Sequence, residues 1–368
     1  MRTVATALPV APQELATGWP VIVACTAAAI FAWGFGAFGP AVYFAELKER
    51  YGWPAATIGG ATTLAFITGA LLLPFVGAAI ERFGPRRVLT SGLMLIGTGV
   101  VGVSQVTAPW QLYGWNLLIG GGWAGASSTA ISTTLAWYFD RRRGLALSLA
   151  LTGASAGGFA IAPALVTLSH RLGFATAVPV LVLGSLAPVL PLLWIGMQRR
   201  HGAWSAALAA DRPSSGAACR IATLLQTRFW SIAGPFALAI SAQVGVMTFE
   251  VSYLLPLLGT GATSLALMGT SLAAAAGRLV VSPLIDHLDQ RPIAAATFAI
   301  QALGLALMIF LPHVAAGLFA GTILFGLNFH LLKVSYQGVA RLSLPVRMAG
   351  LGCPPPTEGL LTERTTAV

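Results

Sequence analysis

Arg278 stands inside an apolar run, Ala273–Asp286, that reads AAAAGRLVVSPLID. A guanidinium offers a planar fork of donors matched to a carboxylate, so in such surroundings it binds an anion or closes a buried ion pair. Glu250 is the other charge set within an apolar stretch. Counted from Trp230, where that stretch begins, it lies roughly 30 Å along a helix. It is therefore expected at the far polar interface, reaching out to water rather than pairing with Arg278. Other chemistries find no residues to perform them. Cys25, Cys219 and Cys353 lie far apart, the five histidines are scattered, and no nucleophile–base pairing or Gly-rich phosphate loop appears. Gly120–Gly122 sits inside an apolar run, no place for a phosphate. Neither an enzyme, nor a metal, nor an organic cofactor is expected.

The composition demands a membrane. Hydrophobic residues make up 56% of the 368 positions and charged residues 9%, whereas a soluble domain carries roughly 25% charged residues. Mean hydropathy is +0.80. The net charge of +10 sits in short loops between apolar runs, which orients a polytopic protein and argues against a nucleic-acid partner. The bilayer is the partner expected, and no obligate protein partner is implied. Spans of about 20 residues are placed at Trp19–Ala45, Pro54–Ile80, Val88–Val106, Tyr113–Phe139, Leu145–Leu168 and Phe174–Met197. Four more follow at Trp230–Leu258, Leu265–Ile285, Ile293–Leu311 and Val314–Leu332. The backbone must be helical, because an unpaired peptide group in lipid costs several kcal/mol. The apolar run after Gly18 is too long for a signal-peptide core and reads as a retained first span.

Arg82, Arg86 and Arg87, then Arg141 to Arg143, then Arg199 to Arg228, then Arg291 mark alternate loops, which places those loops and the N-terminus in the cytoplasm. The expected organisation is a cytoplasmic tail at 1–18, a six-span bundle at 19–197, a polar linker at 198–228, an incomplete second bundle at 229–332 and a polar tail at 333–368. From Gly350 the chain reads GLGCPPPTEGLLTERTTAV, from which no further span can be built.

Gly77–Leu89 reads GAAIERFGPRRVL, with Gly84-Pro85 as its turn. Gly77, Glu81, Arg82, Gly84, Arg86 and Arg87 fit the pattern G-x-x-x-[DE]-R-x-G-x-R-R, which resembles the loop between the second and third helices of major facilitator transporters. A copy, Ile285-Asp286-His287-Leu288 through Arg291, stands 205 residues beyond Glu81. The resemblance implies an all-α polytopic membrane protein with the major facilitator fold of two six-helix halves, of which about ten spans are present and helices eleven and twelve are missing. It also implies a conformational latch. The acid of this loop docks at the start of helix eleven, which this chain lacks, while Asp286 meets the start of helix five near Gly144.

Tyr138–Gly153 reads YFDRRRGLALSLALTG. Tyr138, Phe139, Arg141, Arg142, Arg143, Leu145, Ala146, Ala150 and Gly153 follow the fifth-helix signature Y-F-x-[KR]-R-R-x-L-A-x-G-x-A-x-A-G, so this stretch resembles the monocarboxylate transporter family. Its arginines also fix topology, and Gly153 and Gly157 allow close helix packing. The resemblance implies that Arg278 matches the eighth-helix arginine that binds a substrate carboxylate. Phe35 and Phe38, in the glycine-rich stretch Trp33–Pro40, are expected to line the central cavity. Asn116 stands where many relatives carry a fourth-helix arginine and is expected to bond across helices. The family's helix-eight aspartate is replaced by Ala274 and its first-helix lysine by Ala41, so proton symport is not implied. The expected function is secondary transport of a small organic anion, a monocarboxylate or short dicarboxylate, by alternating access, with a proton or counter-anion as coupling partner. The expected location is the plasma membrane, or the inner membrane of a Gram-negative bacterium. The rivals are export of hydrophobic drugs or metabolites and an inactive remnant.

Overall fold

In the computed structural model of the chain, residues 12–139, 143–197, 227–285 and 290–328 are described, and the regular structure among them is entirely helical. Helix α1 (Pro12–Trp33) passes through a π-helical turn, Gly34–Phe38, into α2 (Gly39–Tyr51). The wide turn has a local cause. Pro40 brings no N–H, and its ring would clash with the carbonyl one turn back, which a widened turn relieves. The helix starts at Pro12, inside the stretch expected as a tail. Proline is pre-organised for a first helical turn, which an apolar count does not register.

Helix α3 (Ala55–Leu72) leads through a short 3-10 turn, Leu73–Phe75, into α4 (Val76–Phe83), and then Gly84 turns the chain into α5 (Pro85–Ser104). Gly84 has φ 83° and ψ 152°, a region open essentially to glycine, and Pro85 opens the next helix. The turn lies where the sequence places it.

The fourth span differs from expectation. Rather than one helix over Tyr113–Phe139, there are two, α6 (Pro109–Ala126) and α7 (Ser128–Ala136). Ser127 between them is extended (ψ 169°), and its hydroxyl accepts from the Ala130 N–H at 3.3 Å. A serine that caps the second piece competes with a continuous helix, and hydropathy does not see caps.

Helices α8 (Arg143–Leu172) and α9 (Phe174–Gly196) follow, joined at Gly173. Then come α10 (Thr227–Ile285), α11 (Gln290–Phe310) and α12 (Ala315–Asn328). Helix α10 is broken at Gly259 (φ 74°, ψ 173°). Its two arms, 227–258 and 260–285, hold the expected seventh and eighth spans. Of the expected linker at 198–228, residues 198–226 lie outside the described residues and 227–228 already belong to α10; the expected tail at 333–368 and Asp286 also lie outside the described residues.

Small residues set the crossings. Helix α1 packs on α8 and α9, α6 on α3 and α5, and α10 on α8, α2 and α12. A Cβ on Gly153 would fall 2.3 Å from the Thr26 carbonyl oxygen, and one on Gly120 2.3 Å from that of Ala65. In lipid, where burial of apolar surface between helices gains little, such close backbone approach drives association. One core runs through α1 to α9 and takes in Met247, Val251 and Leu267 of α10 and Phe325 of α12. The outside is also apolar: Leu71 is 68% exposed, Leu183 66% and Phe310 81%. Apolar faces of that size on long helices belong against lipid.

Candidate functional site

The first span, α8 and the two arms of α10 converge on the interior. Phe38 and Ser271 meet at Gly158 of α8, where a Cβ would lie 2.7 Å from Phe38 Cζ and 2.5 Å from Ser271 Oγ. Phe44 of α2 packs edge-on against Phe249 of α10, with ring centroids 4.7 Å apart. These contacts tie the early helices to both arms of α10.

Beside them a narrow cleft is lined by Gly36, Pro40, Tyr43, Phe44, Asn116 and Trp123, among others. Its polar groups are turned to their own backbone. Tyr43 donates to the Phe35 carbonyl at 3.1 Å, Thr62 to that of Ile58 at 3.2 Å and Asn116 to that of Leu112 at 2.9 Å. Asn116 therefore bonds within its own helix, not across helices as expected. A residue four places earlier is always in reach on a helix, and this local acceptor wins. Phe35 is fully buried against Phe31, with centroids 4.8 Å apart, and faces the helix core rather than the cleft. Of the expected lining residues, the structure brings Asn116 to the cleft and Phe38 to the Ser271 contact.

Glu250 is the largest departure. It is 4% exposed, and Thr270 Oγ1 on the other arm of α10 lies 3.2 Å from its Oε1. The expected interfacial position fails because the helix end that sets its depth is the break at Gly259, not the start of the apolar run at Trp230. From the break at Gly259, Glu250 is nine residues in, about 14 Å and near the middle of a bilayer core of roughly 30 Å. Thr270 lies eleven residues beyond the same break, so the two meet at one level. Thr270 is one of several hydroxyl residues on its arm, with Ser271 next to it, and nothing in the sequence pairs it with Glu250.

Arg278 lies on the second arm of α10, eight residues past Thr270 and seven before the helix end; its side chain is outside the described residues. So are those of Arg143 and Arg291, while Arg141 and Arg142 are wholly outside. Of the fifth-helix stretch, Phe139 and Ala146 are buried, Tyr138 is half-buried and Leu145 is exposed.

On either side of the Gly84 turn, Glu81 and Arg82 of α4 and Arg87 of α5 are exposed, and Gly77 of α4 has open space around it. Arg86 is half-buried with its guanidinium 3.3 Å from the ring centroid of Trp194 on α9. The sequence offered no sign of this pairing. A cation over an indole contributes about 0.5–2 kcal/mol. Trp194→Leu is expected to lower thermal stability in detergent by that amount, while Trp110→Leu, at a 75% exposed position, should leave it unchanged.

A helical bundle with apolar outer faces and a cleft beside the π-helical turn of its first span defines a multi-pass membrane protein. The chain belongs to the Major Facilitator Superfamily, whose family model matches residues 24–352. The fold agrees. A mutant form of the nucleoside transporter NupG superposes with a TM-score of 0.64 over 88% of this chain and 83% of its own, at 10% identity. The D-xylose-proton symporter gives 0.62 over 86% and 81%, at 13% identity. In sequence the chain is similar to monocarboxylate transporter 11 of Homo sapiens, 34% identical over 187 residues, which is 50% of this chain and 39% of that protein. It is also similar to monocarboxylate transporter 13 of Bos taurus, 32% identical over 154 residues, 41% of this chain and 35% of that one. The matched stretch spans little more than a third of the length of these curated relatives.

Proposed function

We propose that the chain is a secondary transporter of a small organic anion, a monocarboxylate or short dicarboxylate, with Arg278 as the group that holds the carboxylate. The observation that carries this reading is an arginine on the second, apolar arm of α10, in a chain similar to monocarboxylate transporters. A cation within an apolar membrane segment is costly unless it faces a cavity or a partner, and a guanidinium meets a carboxylate in two parallel bonds. Counted from Gly259, Arg278 lies nineteen residues along the arm, about 28 Å, toward its far end. The substrate would sit between a bundle of residues 19–197 and the helices of 229–332. Access would alternate as these rock about the small-residue contacts, with Phe38 and Asn116 near the path. The loop at Gly77–Arg87, with Asp286 and Arg291, would latch the states, and the N-terminus would be cytoplasmic.

Arg278→Gln is expected to abolish uptake of radiolabelled lactate and oxalate into proteoliposomes while leaving the protein monodisperse. The change removes a bidentate, charge-assisted pair of about 3 kcal/mol or more, a loss of at least a hundredfold. Unchanged uptake would remove Arg278 from the site. One observation favours a second reading: the cleft lining is apolar and its polar groups are already bonded. Export of a hydrophobic solute would then be indifferent to Arg278→Gln and inhibited by apolar competitors.

A further inference from the structure

We infer that Glu250 is a proton carrier, loaded while it is enclosed against Thr270 and unloaded when the arms of α10 part, so that substrate and proton move together; this rests on the transport reading above.

The first support is a shortage of hydrogens. Thr270 Oγ1 lies 3.0 Å from the Ala266 carbonyl oxygen, 3.2 Å from Glu250 Oε1 and 3.4 Å from the Thr322 carbonyl oxygen. A threonine hydroxyl owns one hydrogen. The shortest contact, to the carbonyl four residues back, is the bond threonine ordinarily makes inside a helix. Once that hydrogen is committed, the approach of Glu250 to the same oxygen sets acceptor against acceptor unless the carboxyl brings a hydrogen of its own. A protonated Glu250 donates to Thr270 Oγ1, which leaves the threonine hydrogen for the Ala266 carbonyl.

The second support is the surroundings. A buried carboxylate needs a cation or a proton, since an isolated charge in a medium of low polarity costs many kcal/mol. Helices α2, α8 and α12 pack on α10, and α11 meets it through Met308; the one ionisable residue of α11, Arg291, has a side chain that is not described. Helix α12 has no ionisable residue. On α2, Tyr43 is committed to the Phe35 carbonyl, Glu46 and Tyr51 are half-buried near its end, and Lys48, Glu49 and Arg50 are exposed there. On α8, His170 and Arg171 are exposed in the last turn, and the Arg143 side chain is not described. On α10 itself, Tyr253 donates to the Met308 carbonyl at 2.6 Å. Arg228 and Arg278 stand 22 and 28 residues from Glu250 in the chain, with side chains not described. Among the described residues Thr270 is the one polar contact of the Glu250 carboxyl.

The third support is the position. The carboxyl bridges the two arms on either side of the Gly259 break, next to Phe249, which packs on Phe44 of α2. Gln243, two turns earlier on the same face, is 2% exposed with neither end of its amide bonded among the described residues, and the buried Ser271 hydroxyl beside Thr270 is likewise open. A displacement that parts the arms would open Glu250 to such groups and to water. The step balances simply. Hydronium gives its proton to the carboxylate and becomes water, and the reverse occurs on the other side. One proton carried with one monoanion moves no net charge.

The test uses the full-length chain in proteoliposomes with radiolabelled lactate and oxalate. With an imposed pH step, wild type should accumulate lactate about tenfold per pH unit, unaffected by a valinomycin potential. Glu250→Gln, an uncharged mimic of the loaded state, should lose that accumulation and keep counterflow exchange. Proton-driven accumulation that survives in Glu250→Gln overturns the inference. Wild type that exchanges neither solute overturns the anion-transport reading instead. The proton site is then read directly, as a protonated-carboxyl stretch in infrared difference spectra that titrates in wild type and is absent from Glu250→Gln. A spectrum with no such band also overturns it. Should Glu250→Gln not fold, Thr270→Val keeps the carboxyl and removes its partner. It should move the pH midpoint of the wild-type band by about one pH unit, and an unmoved midpoint counts against the proposal.

Discussion

Gly157→Leu is expected to destabilise the bundle by about 3 kcal/mol or more. A Cβ at that position would stand 2.4 Å from the Ile30 carbonyl oxygen and 2.9 Å from the Gly34 nitrogen. Both are backbone atoms, so no side chain can rotate away. Relief requires α1 and α8 to separate, which also loosens Gly153 against Thr26, one turn earlier on α8. Overpacking typically costs 1–3 kcal/mol, and moving two long helices apart puts this case at or above the top of that range. The melting temperature of the purified protein in detergent, followed by size-exclusion chromatography after heating, should fall by about 4 °C or more. Gly184→Leu is the control. It sits on an exposed face of α9 with nothing within 4 Å of a Cβ, so its effect should stay within about 0.5 kcal/mol. An equal fall in both variants would mean that the α1–α8 crossing is not close.

Gly259→Val is the second large expected effect. With φ 74° and ψ 173°, Gly259 occupies a region that is essentially glycine-only, and forcing a β-branched residue into it costs of order 1–3 kcal/mol. The alternative is worse. If the two arms relax toward a continuous helix, Glu250 leaves Thr270, and the buried cluster of Leu254, Ala266, Met308 and Leu318 opens. Stability should therefore fall by at least the strain term, and the infrared signature of Glu250 should change with it. Gly261→Ala, two residues on, has open space and no positive φ. Helix propensity alone should make it neutral or slightly stabilising, by about 0.5–1 kcal/mol. Similar melting curves for the two variants would show that the break does not depend on glycine.

Much of the scaffold was legible because a bilayer enforces simple rules. Length and hydropathy locate apolar helices, since each must cross a fixed thickness with its backbone satisfied. All ten expected spans contain helix where placed. The Gly84-Pro85 turn was readable because only a few residue types can make it. Where hydropathy misled, a local polar or steric term had intervened. Ser127 caps a new helix inside an apolar run, Pro12 begins one before the apolar run starts, and Pro40 widens a turn without changing hydropathy.

The sites were less legible, and Glu250 shows why. Its type and its apolar neighbours are plain in the sequence, yet its depth depends on which end of the helix lies near it. That end is set by a break at one glycine among 42, and glycines in membrane helices serve packing as often as bending. Asn116 was visible as a polar residue in a span, but its choice between its own helix and a neighbour is a matter of ångströms. Arg86 was assigned to topology by its charge, while its place on Trp194 depends on how α5 meets α9.

By itself, then, the sequence determined that this is a polytopic helical membrane protein, where its helices run and which loops turn them, because desolvation of the peptide backbone and the signs of loop charges act on the chain locally. Only the tertiary structure decided what those helices enclose. It brought Glu250 to Thr270 across a hairpin, Phe38 to Ser271 across Gly158, and Arg86 to Trp194. Each of these pairs is distant or unmarked in the chain, and each depends on how closely two helices pack, which no local property of either residue sets.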